Sequence, residues 1–175
     1  MSPSFVRTFR FRVRLEQAAA AESGFPPDFP PTSDPPPGAP LADGAFQECS
    51  GLEVDMEVGE YLEGGRNDGI IRRVGRAKYQ NIVLKRGMFY NEGGLANADL
   101  WTWLQEIVRG EVRPVRRYNG FVEVLDGTPD DNVVARWLFA RGLPVKVSGP
   151  QLNGKTGDVA IEELHIAHEG LVLGT

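Results

Sequence analysis

The chain is poor in the residues that build redox, metal and nucleophilic sites. Its 175 residues include one cysteine and two histidines. A single cysteine excludes an intramolecular disulfide and a multi-thiolate metal site. The neighbours of Cys49 are Glu48 and Ser50, which supply no cation to lower the pKa of its thiol. The sequence therefore predicts that Cys49 is a buried small residue, since free cysteine is usually buried.

Long apolar runs and an excess of positive charge are also missing. No apolar run approaches the roughly 20 residues that a membrane-spanning helix needs. Arginines interrupt the N-terminal region, so it lacks the continuous apolar core of a signal peptide. The formal net charge of -5 repels nucleic acid and anionic membranes. We expect a soluble chain made in the cytoplasm without a signal peptide, with no stable membrane insertion and no sequence-specific nucleic-acid partner.

Motifs of common enzyme classes are missing as well. The sequence contains no GxSxG, no P-loop and no HExxH. His165 and His168 are three residues apart, and such residues point to opposite faces of a strand, so they are badly placed to share a metal. The pairs Gly64-Gly65 and Gly93-Gly94 are too unspecific to indicate phosphate binding and are typical of turns. The sequence therefore predicts no catalytic residue, no cofactor and no metal site.

Alternating strands make up most of the chain, and 41% hydrophobic content is enough for one domain over residues 1–175. The opening strand, Phe9 to Leu15, alternates apolar residues with three arginines. Opposite charges on neighbouring strands stabilise a sheet, so we expect these arginines to meet carboxylates. The charged strand faces that the sequence suggests consist of Arg10, Arg12 and Arg14 on one side and Glu53, Asp55 and Glu57 on the other.

The segment from Cys49 to Asn67 changes character at Gly59. Before Gly59, apolar residues alternate with acidic ones from Leu52 to Val58, which predicts a half-buried strand of the core. After it the alternation stops, and the residues are too polar and glycine-rich to pack on their own subunit. We therefore predict an arm at residues 59–75 that contacts something other than its own subunit. Its contact residues are Glu60, Tyr61, Leu62, Glu63, Gly64, Gly65, Arg66, Asn67 and Asp68.

Residues 18–44 form a proline-rich stretch that holds eight of the chain's 13 prolines. Such a density is incompatible with a helix or a strand. The sequence predicts a loop inserted between two strands. Two interpretations stay open, a proline-rich ligand for an aromatic groove and a surface insertion without a partner.

One helix and several further strands complete the predicted fold. Apolar residues recur at helical spacing from Leu100 to Val108, with Asn97 or Asp99 available to cap the start and Gly110 the end. Glu162 and Glu163 break the alternation of the last strand, which suggests a bulge there. Strands are expected at 79–87, 121–125, 134–139, 145–147 and 159–166. The fold class is mainly β, an antiparallel sandwich or barrel of about seven or eight strands with one flanking helix and an extended hairpin arm.

The order and spacing of these pieces resemble the tail tube proteins of contractile phages and phage-like injection particles, the T4-type tube family. That family is related in fold to the hemolysin-coregulated protein of type VI secretion. The resemblance covers nearly the whole chain. Beyond the opening strand it is carried by FQECSGLEVDMEVGEYLEGGRND, YQNIVLKRG, LWTWL, WLFARGLPVKVSGP and VAIEELHIAHEGL.

The resemblance implies a hexameric ring whose subunit sheets join into one barrel around a lumen. It also implies that the arm at residues 59–75 is an assembly arm that reaches a neighbouring subunit or the next ring. Rings would stack into a tube that a contracting sheath drives through a target envelope. The implied partners are further copies of the chain, a sheath protein, baseplate and spike proteins, and a cargo in the lumen. The implied location is the cytoplasm during assembly and then an extracellular, cytoplasmic or virion-like particle. The chain departs from the family pattern in its proline-rich insertion, which is longer than the usual turn.

Three alternatives remain at the level of sequence. The first keeps the particle but makes the chain a baseplate-proximal tube initiator or adaptor. The second is a monomeric barrel that binds a small apolar ligand. The third is an enzyme that uses Glu162, Glu163 and His165 as acid and base groups.

Overall fold

The computed structural model describes residues 10–18, 41, 46–62, 64, 69–90, 94, 96–111, 113–155 and 157–174. Nine strands and one helix lie in this part of the chain. The strands are β1 Phe11–Gln17, β2 Phe46–Ser50, β3 Val54–Tyr61, β4 Ile71–Tyr79, β5 Ile82–Gly87, β6 Tyr118–Leu125, β7 Val133–Ser148, β8 Ile161–Ala167 and β9 Gly170–Gly174, and the helix is α1 Asp99–Arg109.

The seven strands outside β3 and β4 form an antiparallel arrangement in the order β1-β6-β7-β8-β5-β2, with β9 also paired to β7. The first part of β7 pairs with β6 and β9, and its last six residues pair with β8. We call β1, β6, the first part of β7 and β9 the first half-sheet. The second half-sheet consists of Leu143–Ser148 of β7 with β8, β5 and β2. The described strands do not close into a barrel, so the predicted fold class is confirmed in its sandwich form.

The 16-residue strand β7 replaces two strands that the sequence predicts on either side of Gly142. Arg141 adopts a left-handed conformation with φ 54°, which bends the strand without ending it. The amide of Arg141 donates to Asn119 Oδ1 at 2.9 Å, and its Nε donates to Glu169 Oε2 at 2.9 Å. A Cβ on Gly142 would lie 2.7 Å from Ile166 Cγ2, so glycine is there for close packing. The predicted turn is therefore wrong.

The core lies between the two half-sheets and α1. Helix α1 confirms the predicted helix, and Gly110 ends it in a left-handed conformation. The N-cap residue is Ala98 rather than Asn97 or Asp99, although Asn97 Oδ1 accepts from the Asp99 amide at 3.2 Å. Trp103 is buried, donates from Nε1 to the carbonyl oxygen of Arg116 at 3.1 Å, and packs edge-on against Tyr118. The stripe is narrower than predicted, since Val108 is exposed. The buried cluster consists of Leu15, Phe46, Ile82, Leu84, Leu100, Trp103, Tyr118, Phe139, Leu164 and Ile166.

Strand β8 differs from its prediction at Glu162. Its pairing with β5 is continuous from Ile161 to Ala167, so the expected bulge at Glu162 and Glu163 is wrong. Glu162 instead lies on the buried face with Leu164, where it forms an ion pair with the buried Arg86. The alternation of apolar residues is interrupted because the charged Glu162 occupies a position that faces the core. Strand β9, which follows β8 after a short turn, is an additional strand that the sequence did not indicate.

Cys49 packs against the core, and burial raises the pKa of its thiol to about 12.

Of the proline-rich stretch at 18–44, only Ala18 and Leu41 are described, and the rest lies outside the described residues, so the predicted insertion stays a prediction. Leu41 donates its amide to the carbonyl oxygen of Leu15 at 3.1 Å. Within the described part of the chain, no helix is long and apolar enough to cross a membrane.

Candidate functional site

Strands β3 and β4 form a separate two-stranded sheet, a hairpin that pairs with no other described strand. All eight residues of β3 are exposed. The prediction that Val54, Met56 and Val58 belong to the core is therefore wrong, and only Leu52 before them packs against it. The alternation correctly predicts a strand, but the apolar face of this strand points away from the chain's own core. The hairpin begins at Val54, five residues earlier than the predicted arm.

One face of the hairpin is an exposed apolar strip. Val54 lies opposite Tyr79, Met56 opposite Ala77, and Val58 opposite Val74. Alternate residues of a strand share a face, so these side chains lie together. Exposed apolar patches of this kind mark interaction surfaces. We call Val54, Met56, Val58, Val74 and Ala77 the apolar strip, of which the first four are 55%, 55%, 58% and 79% exposed.

Cross-strand contacts hold the hairpin together. Glu57 forms an ion pair with Lys78, and Glu60 lies 3.9 Å from Arg72. The guanidinium of Arg73 stacks 4.8 Å from the centre of the Tyr61 ring. These contacts join the two strands of the hairpin, whose residues are mostly exposed.

The predicted contact residues at the tip are only partly described. Glu60 and Tyr61 end β3, Leu62 is exposed just beyond it, and Gly64 lies in a turn. The other members, Glu63, Gly65, Arg66, Asn67 and Asp68, lie outside the described residues. Their assembly role stays a prediction.

A bulge in β4 sets the twist of the hairpin. The register shifts between Met56 and Val58, where two residues of β4, Gly75 and Arg76, face one residue of β3. A Cβ on Gly75 would lie 2.7 Å from the carbonyl oxygen of Glu57. Glycine is required here because the two backbones approach too closely for a side chain.

His168 ties the base of the hairpin to the sheet. Its Nε2 lies 3.0 Å from the carbonyl oxygen of Gln80, directly after β4, and its Nδ1 lies 2.9 Å from that of Gly170. The ring packs between Tyr79 and Phe139. Burial lowers the pKa of His168, although both carbonyl contacts work in the opposite direction. Sequence reasoning did not single out this connection, since it depends on residues 88 apart.

The arginines of β1 meet Glu123 of β6. Arg12 donates from Nε and Nη2 to Oε2 of Glu123 at 2.8 and 2.6 Å, and Arg14 donates from Nη2 to Oε1 at 3.0 Å. Arg136 Nη2 lies 2.8 Å from the same Oε1, and Arg10 pairs with Asp131 at 2.9 Å.

The predicted pairing of these arginines with Glu53, Asp55 and Glu57 is therefore wrong. The physical reason is strand order, because β1 lies beside β6 and not beside β3. Burial raises the pKa of the fully buried Glu123 carboxyl, but the hydrogen bond from Arg12 and the charges of three arginines outweigh it and hold the pKa below its usual value.

The three residues that the enzyme alternative uses as acid and base groups, Glu162, Glu163 and His165, lie on two different faces of β8. Glu162 lies on the buried face with Arg86, whereas Glu163 and His165 contact one another on the outer face. The hydrogen bond with His165, with the nearby charges of Lys146 and Lys85, lowers the pKa of Glu163. The three groups therefore do not form one site. Within the described residues, no group of three or more His, Cys, Asp and Glu is placed to hold a metal ion.

The outer face of the second half-sheet carries a row of alternating charges. Glu48 lies opposite Lys85, and Lys85 lies opposite Glu163. Lys146 of β7 reaches the same Glu163 from the other side. These four residues lie on four separate strands, β2, β5, β7 and β8, and only strand order brings them into one row.

Solved structures of contractile injection systems share this fold. A chain of the PVC sheath/tube terminator in the extended state superposes with a TM-score of 0.72 at 16% identity, with 100% of each chain covered. A chain of the anti-feeding prophage (AFP) baseplate gives 0.71 at 22% identity, covering 99% of this chain and 97% of that one. A chain of the PVC sheath-tube complex gives 0.68 at 15% identity, covering 97% and 90%. At these identities the likeness shows a common fold.

The family itself is shown by sequence. No curated protein matches the chain. The family model described as T4-like virus tail tube protein gp19 matches residues 7–172, nearly the whole chain. The chain belongs to this family of structural tail tube proteins.

Proposed function

We propose that the chain is the repeating subunit of the inner tube of a contractile injection system or phage tail. Six copies form a ring around a lumen, rings stack into a hollow tube, and a contracting sheath drives the tube through a target envelope. One observation carries the proposal, the hairpin whose apolar strip faces away from its own core. A strip of this kind is stabilised when another copy covers it.

The size of the strip suits a repeated assembly contact. Fully burying one valine or methionine side chain contributes about 1.5–3 kcal/mol, and the strip offers four such side chains, each between 55% and 79% exposed. Modest contacts are sufficient in a tube, because each new ring brings many of them together at high effective concentration. The isolated subunit stays soluble, since the hairpin also carries charged pairs.

The other partners follow from the same proposal. The structures that share the fold come from a sheath-tube complex, a sheath/tube terminator and a baseplate. By analogy, we propose that this tube binds a sheath on its outside and baseplate or spike proteins at its end, and that it holds a cargo in its lumen. The finished protein is then part of a phage-like or extracellular particle after assembly in the cytoplasm.

A double substitution in the apolar strip tests the tube proposal. Val58→Ser with Val74→Ser removes the facing valines, and we expect stacked tubes to disappear from negative-stain micrographs while the purified subunit stays folded by circular dichroism. The matched control is Arg76→Ser in the same hairpin, which keeps the strip. Normal tubes from the double variant would contradict the proposal.

A deletion addresses the tip separately. We expect removal of residues 60–68 to leave a soluble, folded subunit, because the described residues of this stretch pack on no core residue. Assembly should cover the tip, so we expect hydrogen exchange there to slow when tubes form. Normal stacked tubes from the deletion variant would show that the tip is not an assembly contact.

A baseplate-proximal initiator or adaptor is the second candidate. The predicted insertion at residues 18–44 favours it, because a long insertion on every subunit would crowd either the sheath or the lumen. The number of copies per particle decides between the two, since a repeated subunit is far more abundant than an initiator. A monomeric ligand-binding barrel is less favoured, because the sheet is open and side chains fill its core.

A further inference from the structure

The two edge strands of the second half-sheet, β2 and Leu143–Ser148 of β7, run in opposite directions. Its strands β2, β5, β8 and Leu143–Ser148 of β7 are antiparallel in turn. Among the described strands, β2 pairs only with β5, and Leu143–Ser148 pairs only with β8. With four alternating strands, a copy related by rotation about a ring axis would place its β2 antiparallel to this end of β7. The pairing geometry of the sheet therefore continues across the boundary.

The charges on the outer face run in the same order as the strands. Lys85 Nζ donates to Glu48 Oε1 at 2.7 Å and lies 4.0 Å from Glu163 Oε2, and Lys146 Nζ lies 3.7 Å from Glu163 Oε1. From β2 to β7 the row reads negative, positive, negative, positive. Its two inner members are largely covered, whereas the side chains of Glu48 and Lys146 at its ends are 51% and 58% exposed.

We infer that Lys146 of one copy pairs with Glu48 of the next copy at the seam between subunits. The row of charges then alternates without interruption around the ring. The inference rests on the proposed function, because it requires copies arranged in a ring. It adds which edges meet and which side chains recognise one another.

The two edge strands carry side chains of opposite charge, Glu48 on β2 and Lys146 on β7. Charged residues on edge strands commonly prevent pairing with other chains, and two like-charged edges would repel. Here the edges are oppositely charged, so a head-to-tail contact is favoured and a contact between two identical edges is disfavoured. Complementary charges of this type set orientation and partner choice more than affinity. The seam pair therefore selects β2 against β7.

Two charge reversals test the pair in a complementary mixture. In Glu48→Lys every seam would bring two lysines together, and in Lys146→Glu every seam would bring two glutamates together. We expect each variant alone to lose rings in negative-stain images at physiological salt. A 1:1 mixture restores opposite charges at all seams of an alternating ring with an even number of subunits, so we expect rings to return. Lys155→Glu, in an exposed loop, is the control that should assemble normally.

Cross-linking provides a readout that does not depend on charge repulsion. In a Cys49→Ala background, cysteines at positions 48 and 146 should be joined between copies by a short bis-maleimide, giving a ladder of multimers on a denaturing gel. Moving the second cysteine from 146 to 155 should abolish the ladder.

The outcomes separate this inference from the tube proposal. If the unmodified chain forms no rings under any condition, the tube proposal fails. If the unmodified chain forms rings, three results would each overturn the seam pair and leave the tube proposal standing. They are normal assembly of either reversal alone, failure of the mixed folded variants to form rings, and absence of the cross-link between positions 48 and 146. Circular dichroism of each reversal confirms that the subunit is folded, since both positions also have contacts within the chain.

Discussion

Arg86 and Glu162 form an ion pair in which both side chains are 1% exposed and Nε lies 2.5 Å from Oε1. The guanidinium also donates to Asn97 Oδ1 at 2.9 Å, just before α1, and lies over the rings of Phe46 and Phe89. One buried cation therefore connects β5, β8, β2 and the start of the helix. It fixes the inner face of the half-sheet whose outer face carries the row of charges.

Breaking this pair should strongly destabilise the subunit. We expect Arg86→Met to lower the free energy of unfolding by about 3–5 kcal/mol, because it leaves the Glu162 carboxylate buried without its cation. The double variant Arg86→Met with Glu162→Leu should be clearly more stable than the single one, since it leaves no buried charge. Urea unfolding of the monomer measures both. Equal stability of the two variants would show that the pair contributes through packing alone.

Glu123 should make stability depend on pH in the acid range. Its pKa is lowered from 4.5 in the folded chain, so the carboxylate contributes stability that is present above pH 4.5 and is lost as the pH falls through the folded pKa. We expect Glu123→Gln to be less stable than the unmodified chain at neutral pH. The difference should shrink as the pH falls below about 4.5. Urea midpoints over an acid pH series give the comparison, and a constant difference would contradict it.

His168 should contribute a second pH dependence, nearer neutral pH. Burial lowers its pKa from 6.5, so between the folded pKa and 6.5 the unfolded chain binds more protons and folding becomes less favourable as the pH falls. We expect His168→Gln to remove this component and to speed hydrogen exchange at the base of the hairpin. Exchange and urea unfolding between about pH 5 and 8 test both effects. A titration of His168 at or above pH 6.5 by NMR would contradict the sign.

Gly75 should be essential to the hairpin but not to the core. Gly75→Ala brings its Cβ to 2.7 Å from the Glu57 carbonyl oxygen, so the bulge must deform. We expect faster amide exchange in β3 and β4 and loss of tubes, with little change in the unfolding midpoint of the rest. Gly59→Ala is the matched control, because its nearest contact would be an ordinary 3.8 Å to Arg73. Tubes from Gly75→Ala as abundant as from this control would rule out a role for the bulge.

The sequence predicts local secondary structure correctly but not which strands and side chains contact one another. Helical spacing from Leu100 to Val108 located α1, because that signal is contained within one helix. Alternation located β3 but placed it in the core, since period two shows that a strand has an apolar face without showing what covers it. The bulge predicted at Glu162 and Glu163 is wrong for a related reason, since alternation does not show that a charged residue on the apolar face has a buried partner. The partner of Arg12 was wrong because strand order is not a local property.

What the sequence by itself determined is the mainly β class, the single flanking helix and the family resemblance, since these depend on periodicity and on the order of segments. Only the tertiary structure decided that β7 is one bent strand, that the arginines of β1 converge on Glu123, and that β3 and β4 project an apolar strip. Only strand order aligned Glu48, Lys85, Glu163 and Lys146 in one row. The physical reason is that contacts between distant segments form through pairing of strands, and alternation within a strand carries no information about its neighbours.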